Sequence, residues 1–358
     1  MKRYAKYSLL IYCLLLVGFF ILNGCRKKPA EQKPPESTVK KELTQQEKAI
    51  LYDPEAVVCE LKEAKIDSLN LEISNLPYFA RRPQRENKNV YHGKLTIEQT
   101  DFFVILPTDN NREFALINSQ TKKRAMWWGA DELGSRHKIN GKFYEFAVIG
   151  NKQKFVARPY RGDLGIFRAG AGDRDIQTAE FTGSLDSKDS AVAVGQLKDE
   201  WKPAKECLIP VGDYRPNLLY MMYDNLRICL SNNYHSDLQG KDMGERKKVY
   251  GITVRKDEPF VFDFSNKPAI VFDQPKKDQN RFQVGSEIKF AAVLIDPNMD
   301  MMIRGLDDTA VMVKVEYKDS EGNKGNISSF TKMKSLDPNV VITRADGEVV
   351  AKGVMPFG

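Results

Sequence analysis

The feature that most constrains this chain is a two-residue period in its hydrophobic residues. Beyond residue 65, apolar side chains recur at alternate positions in short runs, and Asn, Asp and Gly cut those runs apart. Successive side chains of a strand point to opposite faces, so this period marks half-buried strands. Leu69 and Leu71 alternate with Asn70 and Glu72, and Leu95 and Ile97 with Thr96 and Glu98. Three segments have the form of hairpins: 101–117, 142–160 and 217–231. Each sets apolar runs on either side of a turn rich in Asn, Asp or Gly, residues that tolerate the positive φ of tight turns. No stretch after residue 65 keeps a 3.6-residue period over four turns. The expected fold class is therefore all-β.

The carboxyl end repeats the pattern in 284–297 (VGSEIKFAAVLIDP), 311–323 (VMVKVEYKDSEGN) and 335–353 (SLDPNVVITRADGEVVAKG). Strands at this spacing with Gly/Asp turns suit a β-sandwich. These last hundred residues resemble the immunoglobulin-like and fibronectin-like modules of bacterial surface proteins. The Cys–Trp–Cys core of true immunoglobulin domains is absent, so the resemblance implies a fold and no activity. A polar, Gly-containing stretch near 236–258 marks a boundary. The expected body is at least two β-sandwich domains: a β-rich unit over 51–245, divisible into two, and an immunoglobulin-like sandwich over 255–358.

The amino-terminal end is of another kind. Lys2, Arg3 and Lys6 precede the apolar run 9–22 (LLIYCLLLVGFFIL). A helix that spans a bilayer needs ~20 apolar residues, and a run of 10–14 suits a signal-peptide core. Leu22-Asn23-Gly24-Cys25 follows. This resembles the lipobox of bacterial lipoproteins: an aliphatic residue, a variable one, a small one, then cysteine. The resemblance implies removal of residues 1–24 and lipid, palmitate included, on Cys25; an uncleaved signal anchor is the alternative. Several acyl chains anchor stably where one alone is marginal. Arg26 rather than Asp follows Cys25, which favours the outer membrane over the inner where a cell has both. Residues 25–50 read as a flexible tether, because Pro29, Pro34 and Pro35 among Lys, Glu and Ser cannot bury a core. Within it, 42–51 has the composition of a short helix that Asp53-Pro54 ends.

Charge supports a membrane-side address. The formal net charge is +7, but the leader and the stretch 26–49 hold most of it. A nucleic-acid binder concentrates positive charge on its folded face, so nucleic acid is excluded as a partner. Basic residues beside a membrane are drawn to anionic headgroups. Five cysteines are present. Beyond Cys13 and Cys25, the body holds Cys59, Cys207 and Cys229, so one must be unpaired within the chain. Cys207 and Cys229 are the expected disulfide in an oxidising compartment; three small buried thiols are the alternative.

No catalytic constellation stands out. His92, His137 and His235 lie in separate segments without ligand spacing, and read as surface or hairpin histidines. H-E-x-x-H, C-x-x-C and Gly-x-Ser-x-Gly are all absent. Asp296, Asn298 and Asp300 follow D-x-N-x-D with Asp307 at the twelfth position, the spacing of a calcium loop. Met301 stands where the sharp turn wants Gly, and Asp307 where Glu is usual, so a polar loop is the alternative. Apart from that calcium ion, no cofactor is expected. Adjacent Trp127 and Trp128 cannot both face one core if they lie on a strand. Exposed aromatics suit sugar rings or protein partners, unless a second layer covers them. The expected function is thus a membrane-anchored, non-catalytic binding or structural module for an envelope protein or polysaccharide. A hydrolase acting outside the cytoplasm on polysaccharide or peptide is the alternative.

Overall fold

The structure is a computed structural model. It describes residues 45–69, 71, 89–108, 113–125, 133, 135–188, 190–197, 201–232, 249–263, 267–275, 279, 281–283, 285–318 and 324–357. One short helix, Gln45–Leu51, opens the described chain. The strands β1 (Val57–Glu60) and β2 (Lys62–Lys65) follow, then a 3-10 turn, Ile66–Leu69. Next come β3 (Asn89–Ile97), β4 (Thr100–Pro107), β5 (Ala115–Asn118), β6 (Arg136–Ile139), β7 (Lys142–Ile149) and β8 (Lys154–Pro159). They are followed by β9 (Leu164–Ala169), β10 (Ala179–Asp186), β11 (Ala191–Val194), β12 (Gln196–Leu197), β13 (Trp201–Lys202) and β14 (Glu206–Pro210). The long hairpin β15 (Gly212–Tyr223) and β16 (Leu226–Asn232) leads to β17 (Ile252–Val254), β18 (Phe260–Phe262), β19 (Ala269–Gln274) and β20 (Ala291–Asp296). The last four are β21 (Met301–Lys318), β22 (Lys324–Ser335), β23 (Asn339–Thr343) and β24 (Val349–Val354).

One large sheet runs through the fold in the order β1-β8-β7-β6-β11-β10-β15-β16-β21-β20-β19, with β17 added to β15 and β22 to β21. Smaller sheets are β2-β3-β4-β5, β14-β9-β18, β12-β13 and β23-β24. Two of these pack on the large sheet and give two cores, so the body is an all-β sandwich arrangement. In the first core, Leu95 and Ile97 of β3, Val104 and Leu106 of β4 and Phe114 meet Phe146 of β7 and Phe155 of β8. In the second, Phe167 of β9, Ile209 of β14 and Phe262 of β18 lie against Phe181, Leu219, Met221, Leu230 and Ile303 of the large sheet.

The cores share strand β7. Phe143 alternates with Tyr144 and Phe146, so it enters the second core while they enter the first. The two halves of the sheet meet where β11 runs parallel to β6, with Val192 opposite Arg136.

The turns form where short polar or flexible residues allow positive φ. Asn140 and Gly141 (φ 48° and 92°) join β6 to β7, and Asp224 (φ 49°) joins β15 to β16. At the β7–β8 turn, Lys152 is buried and its Nζ donates to the carbonyls of Pro107 (2.9 Å) and Thr108 (2.7 Å). That ties the turn to the end of β4.

The separate sandwich expected over 255–358 does not form. β18 pairs with β9 and β21 with β16, so this segment enters the sheets begun upstream. Among the described hydrophobic residues beyond 264, only Val271, Ile295, Met301 and Ile303 are buried. Alternation in a sequence sets which face a residue takes; it does not set which strand lies alongside.

Candidate functional site

Cys25, Trp127, Trp128 and His235 lie outside the described residues, as do the leader and most of the tether. The helix expected at the end of the tether is seen as Gln45–Leu51, followed by the Asp53-Pro54 break.

The acidic residues of the expected calcium loop are put to other uses. Asp296 ends β20, and its Oδ1 accepts the amides of Asn298 (2.9 Å) and Met299 (3.3 Å), which shapes the β20–β21 turn. Asp300 (φ 50°) accepts from Arg215 Nη1 at 2.6 Å, and both residues are buried. Asp307 lies well along β21 and takes two bonds from Arg227, at 2.8 and 3.0 Å. Among the described residues no three His, Cys, Asp or Glu are grouped to hold a metal ion. The D-x-N-x-D spacing lies on the tight β20–β21 turn, where Asp296 bonds amides and Asp300 a guanidinium.

Asp300 belongs to a largely buried polar row across neighbouring strands. Asp186 of β10, Arg215 of β15, Asn232 of β16 and Asp300 before β21 occupy one end of the large sheet. Asp186 lies 3.8 Å from Arg215 and accepts Asn232 Nδ2 at 3.1 Å. The Tyr250 ring lies 5.7 Å from the Arg215 guanidinium carbon. Arg215 is 2% exposed, so a carboxylate had to accompany it inside. The only hint in the sequence is a guanidinium set between Tyr214 and Pro216 in a strand that is otherwise largely apolar.

Among the described residues Cys59, Cys207 and Cys229 are free thiols, and the expected Cys207–Cys229 disulfide is not formed. Cys207 packs against the second core. Cys229 sits between Ile228 and Leu230, both of which face that core, so it points to the opposite side of the sheet. Burial pushes the Cys59 and Cys207 thiols up to about 11, Glu60 adding to the first, and raises Cys229 as well. Thiols held this high are poor nucleophiles near neutral pH.

His137 lies on the β6–β7 hairpin, within the reading of these residues as surface or hairpin histidines, but away from the surface. It is fully buried, with its Nε2 3.0 Å from Ser135 Oγ and its ring against Phe114 and Phe146. Ser135 is buried too, so the pair fills the edge of a core and offers a substrate no approach. His92 on β3 is held below its ordinary value by burial and by Lys62.

The surface feature that stands apart is apolar. Among the described residues, twelve of the sixteen exposed large hydrophobics lie between Ile270 and Val354. Ile270 and Phe272 stand out from edge strand β19 at 62% and 54% exposure, on either side of buried Val271. Ile288 and Phe290 are exposed before β20, and Val341, Val350 and Val354 on the β23–β24 hairpin. Phe290, Val340, Ile342, Ala351, Val354 and Pro356 line an open cleft of about 240 Å³, with Lys352 beside them. Sequence patterning located the strands but could not show that these side chains stay exposed.

No helix among the described residues is long and apolar enough to cross a membrane. Comparison of the chain with protein-family models, with curated proteins and with solved structures gave no match.

Proposed function

We propose that this chain is a lipid-anchored binding module of a bacterial cell envelope, held by lipid on Cys25 and engaging a protein or polysaccharide partner. The observation that carries the binding half is the exposed apolar surface of the carboxyl third, centred on Ile270, Phe272 and Phe290. A binding module uses such a surface as the desolvated centre of an interface. The anchoring half rests on the sequence Leu22-Asn23-Gly24-Cys25 behind a short apolar run.

Two experiments test the reading. Cells fed labelled palmitate should mark the native chain and not the Cys25→Ser variant; equal labelling would remove the anchor. A photo-crosslinking residue at Phe272 or Phe290 should give one adduct in intact cells, and the same residue at exposed Asp173 should not. Adducts that are absent, or alike at all three positions, would sink the binding surface.

A further inference from the structure

Phe181, Leu219, Met221, Ile228 and Leu230 of the large sheet face the second core. By alternation Thr182 and Ser184 of β10, Tyr220 of β15 and Cys229 of β16 face the other way. The strand registers set Thr182 beside Tyr220, Tyr220 beside Cys229, and Cys229 beside Gly305 of β21. These four make one row across four strands, ~14 Å long at the usual strand spacing. Two observations single the row out. Thr182 is 9% exposed and Ser184 wholly buried, yet among the described residues neither hydroxyl has a hydrogen-bond partner. Buried polar groups are otherwise nearly always paired, because leaving one unpaired is costly. The second observation is Gly305. Its φ lies outside the left-handed region, and the bulge beside it has Arg304 as its extra residue. Among the described residues a methyl group on Gly305 would meet only the Cys229 Cβ, at 3.7 Å. Neither backbone nor packing asks for glycine there. Glycine weakens a strand, and within one it often marks the close approach of another molecule.

We propose that this row binds a segment of neutral saccharide. Sugar hydroxyls both donate and accept, as do those of serine and threonine, so such a ligand supplies Thr182 and Ser184 with the bonds that the fold does not. Tyr220, Cys229 and Gly305 are partly exposed, and the ligand reaches the row from their side. Arg227 and Asp307 border it, with the Arg227 guanidinium carbon 5.2 Å from the centre of the Tyr220 ring. Both bonds from Arg227 end on Asp307 Oδ2, which leaves Oδ1 and further guanidinium donors for a sugar diol. That pair is neutral as a whole, so it does not select a phosphate-rich polymer. A protein partner would want an apolar centre, whereas the centre of this row is hydroxyl, thiol and bare backbone. The site shares no residue with the exposed apolar surface around Phe272, and the inference depends on neither that surface nor the anchor.

The test uses the full-length protein in mild detergent, titrated in a calorimeter with soluble peptidoglycan fragments and with dextran and chitin oligosaccharides. At least one of these should bind. Thr182→Val and Ser184→Ala should each weaken that binding about tenfold, the worth of one hydrogen bond to a ligand. Their stability in urea should stay equal or rise, because the fold loses no bond of its own. Gly305→Val should abolish binding with circular dichroism unchanged. If that variant misfolds, Gly305→Ala serves in its place, since a methyl group has room there. The proposal is overturned if no saccharide binds, or if binding survives the substitutions at Thr182, Ser184 and Gly305. It is overturned equally if Thr182→Val and Ser184→Ala lose stability as broken internal hydrogen bonds do, which would assign both hydroxyls to the fold.

Discussion

Arg215 is the residue whose surroundings most limit substitution. Its charge is buried with that of Asp300, and a buried ion pair that loses one partner leaves the other uncompensated. Arg215→Met should therefore destabilise the fold by ~3–5 kcal/mol in urea unfolding. The double variant Arg215→Met/Asp300→Asn should recover a large part of that loss, and Asn keeps the positive φ that position 300 requires. A double variant no better than the single one would mean that packing, not charge, sets the cost. Asp224 makes a prediction of a different kind. Its carboxylate accepts the Thr178 amide and hydroxyl and the Gln177 amide, which hold it below its ordinary value of 3.8. The charged form is favoured in the folded state, so its contribution is complete above 3.8 and fades as pH falls through the lower folded value. Asp224→Asn should thus lose stability near neutral pH and show a shallower acid dependence below pH ~4. Parallel pH profiles for variant and parent would contradict this. The hairpin turn was legible from Asp224-Asn225, but the carboxylate's partners were not, because they come from the turn before β10.

At the scale of elements, sequence pattern identified hairpins well and their neighbours poorly. The pairs β4–β5, β7–β8 and β15–β16 stand where the alternating runs and turn residues put them. Strand pairing within a hairpin is dictated by a turn of a few residues, which a sequence displays. By contrast β16 pairs with β21 across a long intervening stretch, and β9 is flanked by β14 and β18. Such contacts depend on the packing of whole sheets, and period-two patterns are alike for every candidate neighbour. The alternation at Leu69 and Leu71 shows the same limit, since the chain forms a 3-10 turn there through Leu69. Crossing strands leave their own mark in glycine. A methyl group on Gly93 of β3 would sit 2.2 Å from Cys59 Sγ and 2.6 Å from the Glu60 carbonyl of β1. Gly93→Ala should cost ~1–3 kcal/mol by overpacking. Adding Cys59→Ala should not fully restore stability, because the Glu60 carbonyl remains. Full rescue would show that β1 can move away from β3.

For the whole molecule, the question is whether two sandwiches on one sheet unfold as one. Their sheet halves meet at a short parallel contact between β6 and β11, which alone is a weak link. The stronger tie is β7, whose Phe146 lies in the first core and whose Phe143 lies in the second. The Phe143 carbonyl also accepts the amide of Tyr160, which packs against the second core. If this strand is the coupling element, removing the Phe143 ring should do two things. It should destabilise by ~3–5 kcal/mol, as large-to-small changes in cores do. It should also split the unfolding, because the first core keeps all its members while the second loses one. Amide exchange is the measurement to use, since it reports strands of each sandwich separately. In the parent, amides of β4 and β16 should exchange with similar free energies of opening; in Phe143→Ala, those of β16 should open well before those of β4. A variant in which both fall equally would mean that the sheet's backbone, and not this side chain, makes the two sandwiches one cooperative body.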